Sequence, residues 1–260
     1  MLKILKYTFF DLMRSKWSYI YFLFYLLLGF VLLFLNNDIS KAIITLMNII
    51  IILTPLIGTL FGVMYYYNSK EFTELLLGQP TNRKKIFLGQ YFGLSISLSL
   101  SLIAGLGIPF LFYGLFKSTQ IIDFISLLVI GTFLTFIFSA IAYNIGISNE
   151  DKIKGFGYSI LTWLFLAVIY DGLFIISLIT LDEYPLDKLA LGASLLNPID
   201  LSRILIILKL DISALMGYTG AVMQKFFGTS LGLIISFTML VIWSIVPITL
   251  IIKKSRKKDF

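Results

Sequence analysis

The sequence predicts an all-α integral membrane protein with six transmembrane helices, and three observations carry that prediction. Of the 260 residues 58% are hydrophobic and the mean hydropathy is +0.95, more apolar surface than a soluble domain of this size can hide. The apolar residues lie in long unbroken runs, so helices rather than the alternating strands of a barrel must satisfy the backbone. The charges gather at the ends of those runs, as expected beside anionic lipids, which makes lipid and not nucleic acid the partner of the +7 net charge. With no Cys and no His, disulfides, thiolate metal sites and the usual zinc, haem and triad chemistries lose their residues. Met216 and Met223, seven residues apart on an apolar helix, read as packing rather than as copper ligands, so no metal site and no catalytic residue is assigned.

In chain order, residues 1–17 place Lys3, Lys6, Arg14 and Lys16 among Leu2, Ile4, Leu5, Phe9, Phe10, Leu12 and Met13, a basic amphipathic helix at the membrane surface. The apolar run from Trp17 to Leu35 is too long for the core of a signal peptide and has no small-residue cleavage site after it. It is therefore expected to remain as span 1, about 18–35. Span 2, about 42–66, ends in the aromatic anchor Tyr65-Tyr66-Tyr67. Span 3 covers about 86–116 with Pro109 inside it, span 4 about 121–147, span 5 about 156–181 and span 6 about 229–252. All belong to one domain, residues 1–260.

The polar stretch 68–85 is unlike the rest. Asn68 can cap a helix and Glu71 can complete a capping box, while Phe72, Leu75 and Leu76 fall on one face. Gly78 and Pro80 stop the helix and Thr81 offers the next cap. The spacing predicts a helix of two to three turns held between two spans, a handle by which something outside the membrane can move something inside it. Lys and Arg set the orientation. Fifteen of the 21 lie in the N-terminus, the 67–85 loop, the 148–155 turn and the tail, which places both termini and the handle inside and residues 182–228 outside.

Small residues recur every four positions along the spans, the spacing that lets helices approach in lipid. Span 3 has Gly89, Gly93, Ser97, Ser101 and Gly105; span 2 has Thr54, Gly58 and Gly62; span 4 has Gly131, Thr135 and Ser139; span 6 has Gly228, Gly232 and Ser236. Packing is the reading favoured over a polar pathway through these serines, Ser95 and Ser99 included. Asp171 is the one charge well inside a span. It must face protein or water, as a substrate contact, a proton site, a latch, or a protonated or Tyr-paired joint between helices.

The outer segment 182–228 holds a helix start in Asn197-Pro198-Ile199-Asp200, with Leu201, Ile204, Leu205 and Leu208 on one face and an Asp200–Arg203 pair. A second piece, Ile212 to Phe227, carries the Gly217-Tyr218-Thr219-Gly220 turn. Both are too short to span, so re-entrant or surface-lying helices capping the outer mouth, or docking a partner, are expected.

The six spans, the basic N-terminal helix, the handle followed by Pro80-Thr81-Asn82-Arg83, and the outer helices resemble the ABC-type exporter permeases along the whole chain. The resemblance implies that residues 68–79 are a coupling helix on an ATPase subunit, with Asn68, Lys70, Glu71, Phe72, Glu74, Leu75, Leu76, Pro80 and Arg83 at that contact. Residues Glu74 to Pro80, Phe87 to Tyr91, Leu196 to Arg203, Gly217 to Gly220 and Trp243 to Pro247 are most similar to the branch that serves copper-site maturation of nitrous-oxide reductase. The same resemblance implies a homodimer in the bacterial inner membrane, bound to two cytoplasmic ATPase subunits that hold ATP and Mg. A periplasmic partner would dock at Asn197, Pro198, Asp200, Arg203, Gly217, Tyr218 and Gly220, with a copper chaperone in the same system.

The chain itself has no Gly-x-x-x-x-Gly-Lys-Ser/Thr loop, so it reads as an energy-receiving subunit without a cofactor of its own and not as an enzyme. Without His or Cys its substrate is something other than a bare copper ion, or partners handle the metal. The alternative is an exporter permease for a drug, peptide or lipid. An ion-coupled secondary transporter comes third, because no internal repeat accompanies Asp171.

Overall fold

The computed structural model describes residues 1–36, 38–180, 187–209 and 226–257, and every regular element among them is helical. These are α1 (Leu2–Arg14), α2 (Lys16–Asn36), α3 (Ile39–Asn68), α4 (Lys70–Leu77), α5 (Arg83–Phe112), α6 (Ile121–Ser148), α7 (Lys152–Leu164), α8 (Tyr170–Thr180), α9 (Asp187–Leu196), α10 (Pro198–Lys209) and α11 (Ser230–Lys257). Six stretches are long and apolar enough to cross a membrane: α2, α3, α5, α6, the run Lys152–Ser177 through α7 and α8, and α11. The expected spans are all present. Span 3 ends at Phe112 rather than near 116, because Gly114 takes a left-handed backbone (φ 82°) and turns the chain out of the helix.

Small side chains decide which helices touch. The expected stripe on α5 is buried throughout, and α1 and then α2 lie along it. At Gly93 a Cβ would stand 2.6 Å from Cβ of Thr8, so only glycine admits α1 this closely. Further along, Ser101 Oγ lies 3.4 Å from Ser18 Oγ on α2. Gly58 and Gly62 of α3 face Thr135, Ser139 and Ala142 of α6, Thr54 shares a hydrogen bond of 3.0 Å with Tyr25 of α2, and Ser95 and Ser139 share one of 2.8 Å between α5 and α6. The serines therefore sit inside helix contacts, the packing role expected. On the last span Ser236 is buried, whereas Gly228 is exposed in the turn before α11 and takes no part in a stripe.

The contacts sort the bundle into two ends. Tyr67 on α3 donates to the carbonyls of Asn149 (2.9 Å) and Asp151 (3.1 Å), and Lys254 on α11 donates to the carbonyl of Asn144 (3.3 Å). With α1 and α4 beside them, these residues gather most of the basic side chains at one end. At the far end α9 and α10 form a pair bent by 114°. Leu201, Ile204, Leu205, Ile206 and Ile207 of α10 are all buried, so this helix is enclosed among α3, α6 and α11 rather than lying on a surface with one apolar face. It enters the bundle and does not cross it.

Replacing Gly93 with Ile should lever α1 off α5, at a cost of about 1–3 kcal/mol. Thermal unfolding in detergent would show the loss, and the first cleavage by a protease should move to residues 1–15.

Candidate functional site

Two polar clusters interrupt the apolar bundle, one at each end. At the basic end stands α4. The expected cap at Asn68 is not formed, because α3 stays helical through Asn68 and Ser69 N–H bonds back to the Tyr65 carbonyl (2.9 Å). Asn68 instead accepts from Lys152 Nζ at 3.5 Å, and α4 begins at Lys70 with Ser69 before it making no side-chain cap. The helix stops at Gly78, as expected. The next cap falls to Asn82, whose Oδ1 accepts from Lys84 N (3.1 Å), while the Thr81 hydroxyl closes the turn by donating to the Leu76 carbonyl (2.9 Å).

The expected apolar face of α4 is divided. Phe72 stacks on Tyr7 of α1 with ring centroids 4.7 Å apart, Leu76 is half-buried, and Leu75 points outward at 72% exposure. Glu71, Glu74, Pro80 and Arg83 are exposed around it, and Lys70 lies 4.0 Å from Glu74. Leu75 thus stands out from a charged, eight-residue helix. One residue of α4 is buried, Thr73, and nothing in the sequence pattern marked it.

The second cluster joins span 5 to α10. Between α7 and α8 the helix widens into a π turn, Phe165–Ile169, which leaves the Leu166 carbonyl free to accept from Asn197 Nδ2 at 2.8 Å. Asn197 also caps α10 as expected, its Oδ1 accepting from Ile199 N (3.0 Å), and its amide donates to Asp200 Oδ2 (2.9 Å). Tyr170 donates to the Ala193 carbonyl on α9 (2.7 Å). Asp171, one residue on, accepts from Arg203 Nη1 at 2.8 Å.

The expected Asp200–Arg203 pair is present at 3.5 Å. Asp171 thus pairs with an arginine from the outer segment, not with a tyrosine, and the intramembrane charge has a counter-charge. Asn197, Pro198 and Asp200 are buried inside the bundle, where they seat α10, and Arg203 is half-buried. Gly217, Tyr218 and Gly220, like Met216 and Met223, lie outside the described residues. Among the described residues no group of acidic side chains could hold a metal.

A multi-pass helical membrane protein with a helical handle at one end and a seated re-entrant pair at the other is the class this geometry defines. The chain is 27% identical over 177 residues to the "Probable ABC transporter permease protein NosY" of Stutzerimonas stutzeri, a match covering 65% of this chain and 64% of that protein. The match thus spans just under two thirds of the curated relative's length. No family model matches the chain.

The ion pair gives a direct prediction. Both side chains are about a quarter to a third exposed (26% and 30%), so Arg203→Met alone should cost about 1–2 kcal/mol after solvent screening, leaving two carboxylates without their cation. Asp171→Leu with Arg203→Met should recover part of that loss, and additive effects in thermal unfolding would show that the two residues do not interact.

Proposed function

We propose that this chain is the membrane-spanning permease subunit of an ABC transporter, with α4 as the helix through which a separate ATPase subunit moves the bundle. The observation that carries this reading is Leu75, held 72% exposed on a short charged helix rigidly placed between two spans. The similarity to NosY and the absence of a phosphate loop in this chain support it. The ATPase subunits, two per dimer of this chain, bind ATP and Mg. On this reading the protein sits in a bacterial inner membrane, with α4 and both termini on the cytoplasmic side and α9–α10 on the periplasmic side, an orientation that the Lys and Arg bias supports. Lys3, Lys6 and Arg14 on α1 meet the anionic lipid of the inner leaflet.

The finer reading is that the complex works for copper-site assembly of nitrous-oxide reductase, with a periplasmic partner and a copper chaperone. It rests on the likeness of Asn197-Pro198-Ile199-Asp200 with Arg203, and of Gly217-Tyr218-Thr219-Gly220, to that branch. Export of a drug, peptide or lipid is the second reading, favoured by the complete lack of His and Cys ligands in the chain.

A tagged pull-down from the native host in mild detergent, read by mass spectrometry, tests both. An ABC ATPase should co-purify, and Leu75→Ala should lower its retention about ten-fold, the worth of one buried leucine. Capture of a periplasmic partner and copper chaperone would select the copper reading, and their absence beside a captured ATPase would select general export. If no ATPase is captured, the permease reading falls.

A further inference from the structure

Thr73 is the one buried residue of α4, and its hydroxyl is fully used. It donates to the Ser69 carbonyl (2.7 Å), so towards its other neighbour it can only accept. That neighbour is Gln90 of α5, fully buried, whose Nε2 donates to Thr73 Oγ1 at 2.9 Å. The other end of the same carboxamide accepts from the Tyr143 hydroxyl of α6 at 2.6 Å. Tyr143 is itself fully buried, edge-on to Tyr66 of α3 (5.4 Å) and Phe87 of α5 (6.4 Å).

The hydrogen bonds therefore run in one direction, from Tyr143 through Gln90 to Thr73 and Ser69, and link three helices at the root of the handle. A carboxamide donates at one end and accepts at the other while remaining neutral, as these two neighbours require. A buried amide is costly unless both ends are met, and here both are. A second side-chain hold on α4 is the Tyr7–Phe72 stack, which can slide because apolar contacts have no fixed register. A chain of short hydrogen bonds has one.

We propose that Gln90 is a positioning residue that carries a displacement of α4 into the core of the bundle, through Thr73 on one side and Tyr143 on the other. This rests on the reading of α4 as the coupling helix.

The test has two arms. The chain contains no Cys, so spin labels at Glu74→Cys and Ile153→Cys report one distance in the chain alone, in nanodiscs. Thr73→Val and Gln90→Met should broaden that distance distribution about two-fold, and Thr73→Ser, which keeps the hydroxyl, should not. An unchanged width in the Val and Met variants overturns the linkage.

In the second arm the chain is assembled with its ATPase. Thr73→Val and Gln90→Met should retain the ATPase subunit in a pull-down, yet lose about ten-fold of the ATP hydrolysis that the permease stimulates, with Thr73→Ser like the parent. Full stimulation in the Val and Met variants, or an equal loss with Ser, overturns the role. If the unmodified chain captures no ATPase, the coupling reading fails and this role with it, while the distance arm separately reports whether the linkage exists.

Discussion

Lipid offers no hydrogen bond, so each polar group that enters this bundle must find its partner in the protein. That constraint is met most fully by the buried carboxamides and charges, which occur in connected sets, while some small hydroxyls such as Ser97 and Ser99 are buried without a partner. Gln90 has Thr73 and Tyr143; Asn197 has Leu166 and Asp200; Asp171 has Arg203. Each set ties helices distant in sequence, and each sits where an element that does not cross the membrane joins one that does. The short helix α4 is fastened by the first set and the bent pair α9–α10 by the other two.

Between these joints the helices are held by shape. In a bilayer the hydrophobic effect gives one apolar helix no reason to prefer another, so close approach of backbones and the dispersion it yields must select the pairs. The stripes on α3, α5 and α6 serve this purpose, and α1, though it lies outside the spans, uses the same device against Gly89 and Gly93. The result is a body whose centre is tightly packed and whose moving parts, if it works as proposed, attach at its two ends.

The sequence made much of this legible. Apolar runs of twenty residues or more have one physical explanation, so six spans could be read from hydropathy, and the fourfold spacing of Gly, Ser and Thr named the contact faces. The cap at Asn197 and the Asp200–Arg203 pair were readable because they are local, three residues apart or fewer. Contacts between distant positions were not. Nothing near Asp171 pointed to Arg203, thirty-two residues away, and Gln90 stood between Gly89 and Tyr91 with no mark of its link to Thr73. The cap expected at Asn68 failed for a related reason. Local chemistry permitted a break there, but the continuous packing of α3 against α6 carried the helix past it. Phe72 likewise left its expected face to meet Tyr7, a residue on another helix.

The π turn at Phe165–Ile169 has an implication for descent. A turn of this kind holds one residue more than the α-helix around it, and each residue advances a helix by about 100°. Delete one residue from Leu166 to Ile169 and the turn can close to an ordinary α-turn with Asp171 still facing Arg203, whereas the same deletion in a regular stretch would swing it by about 100°. Homologous chains that keep the pair but not the widened turn must have one residue fewer before the acid. A comparison of such sequences would then need its gap in the middle of a transmembrane span, where insertions and deletions are otherwise least expected.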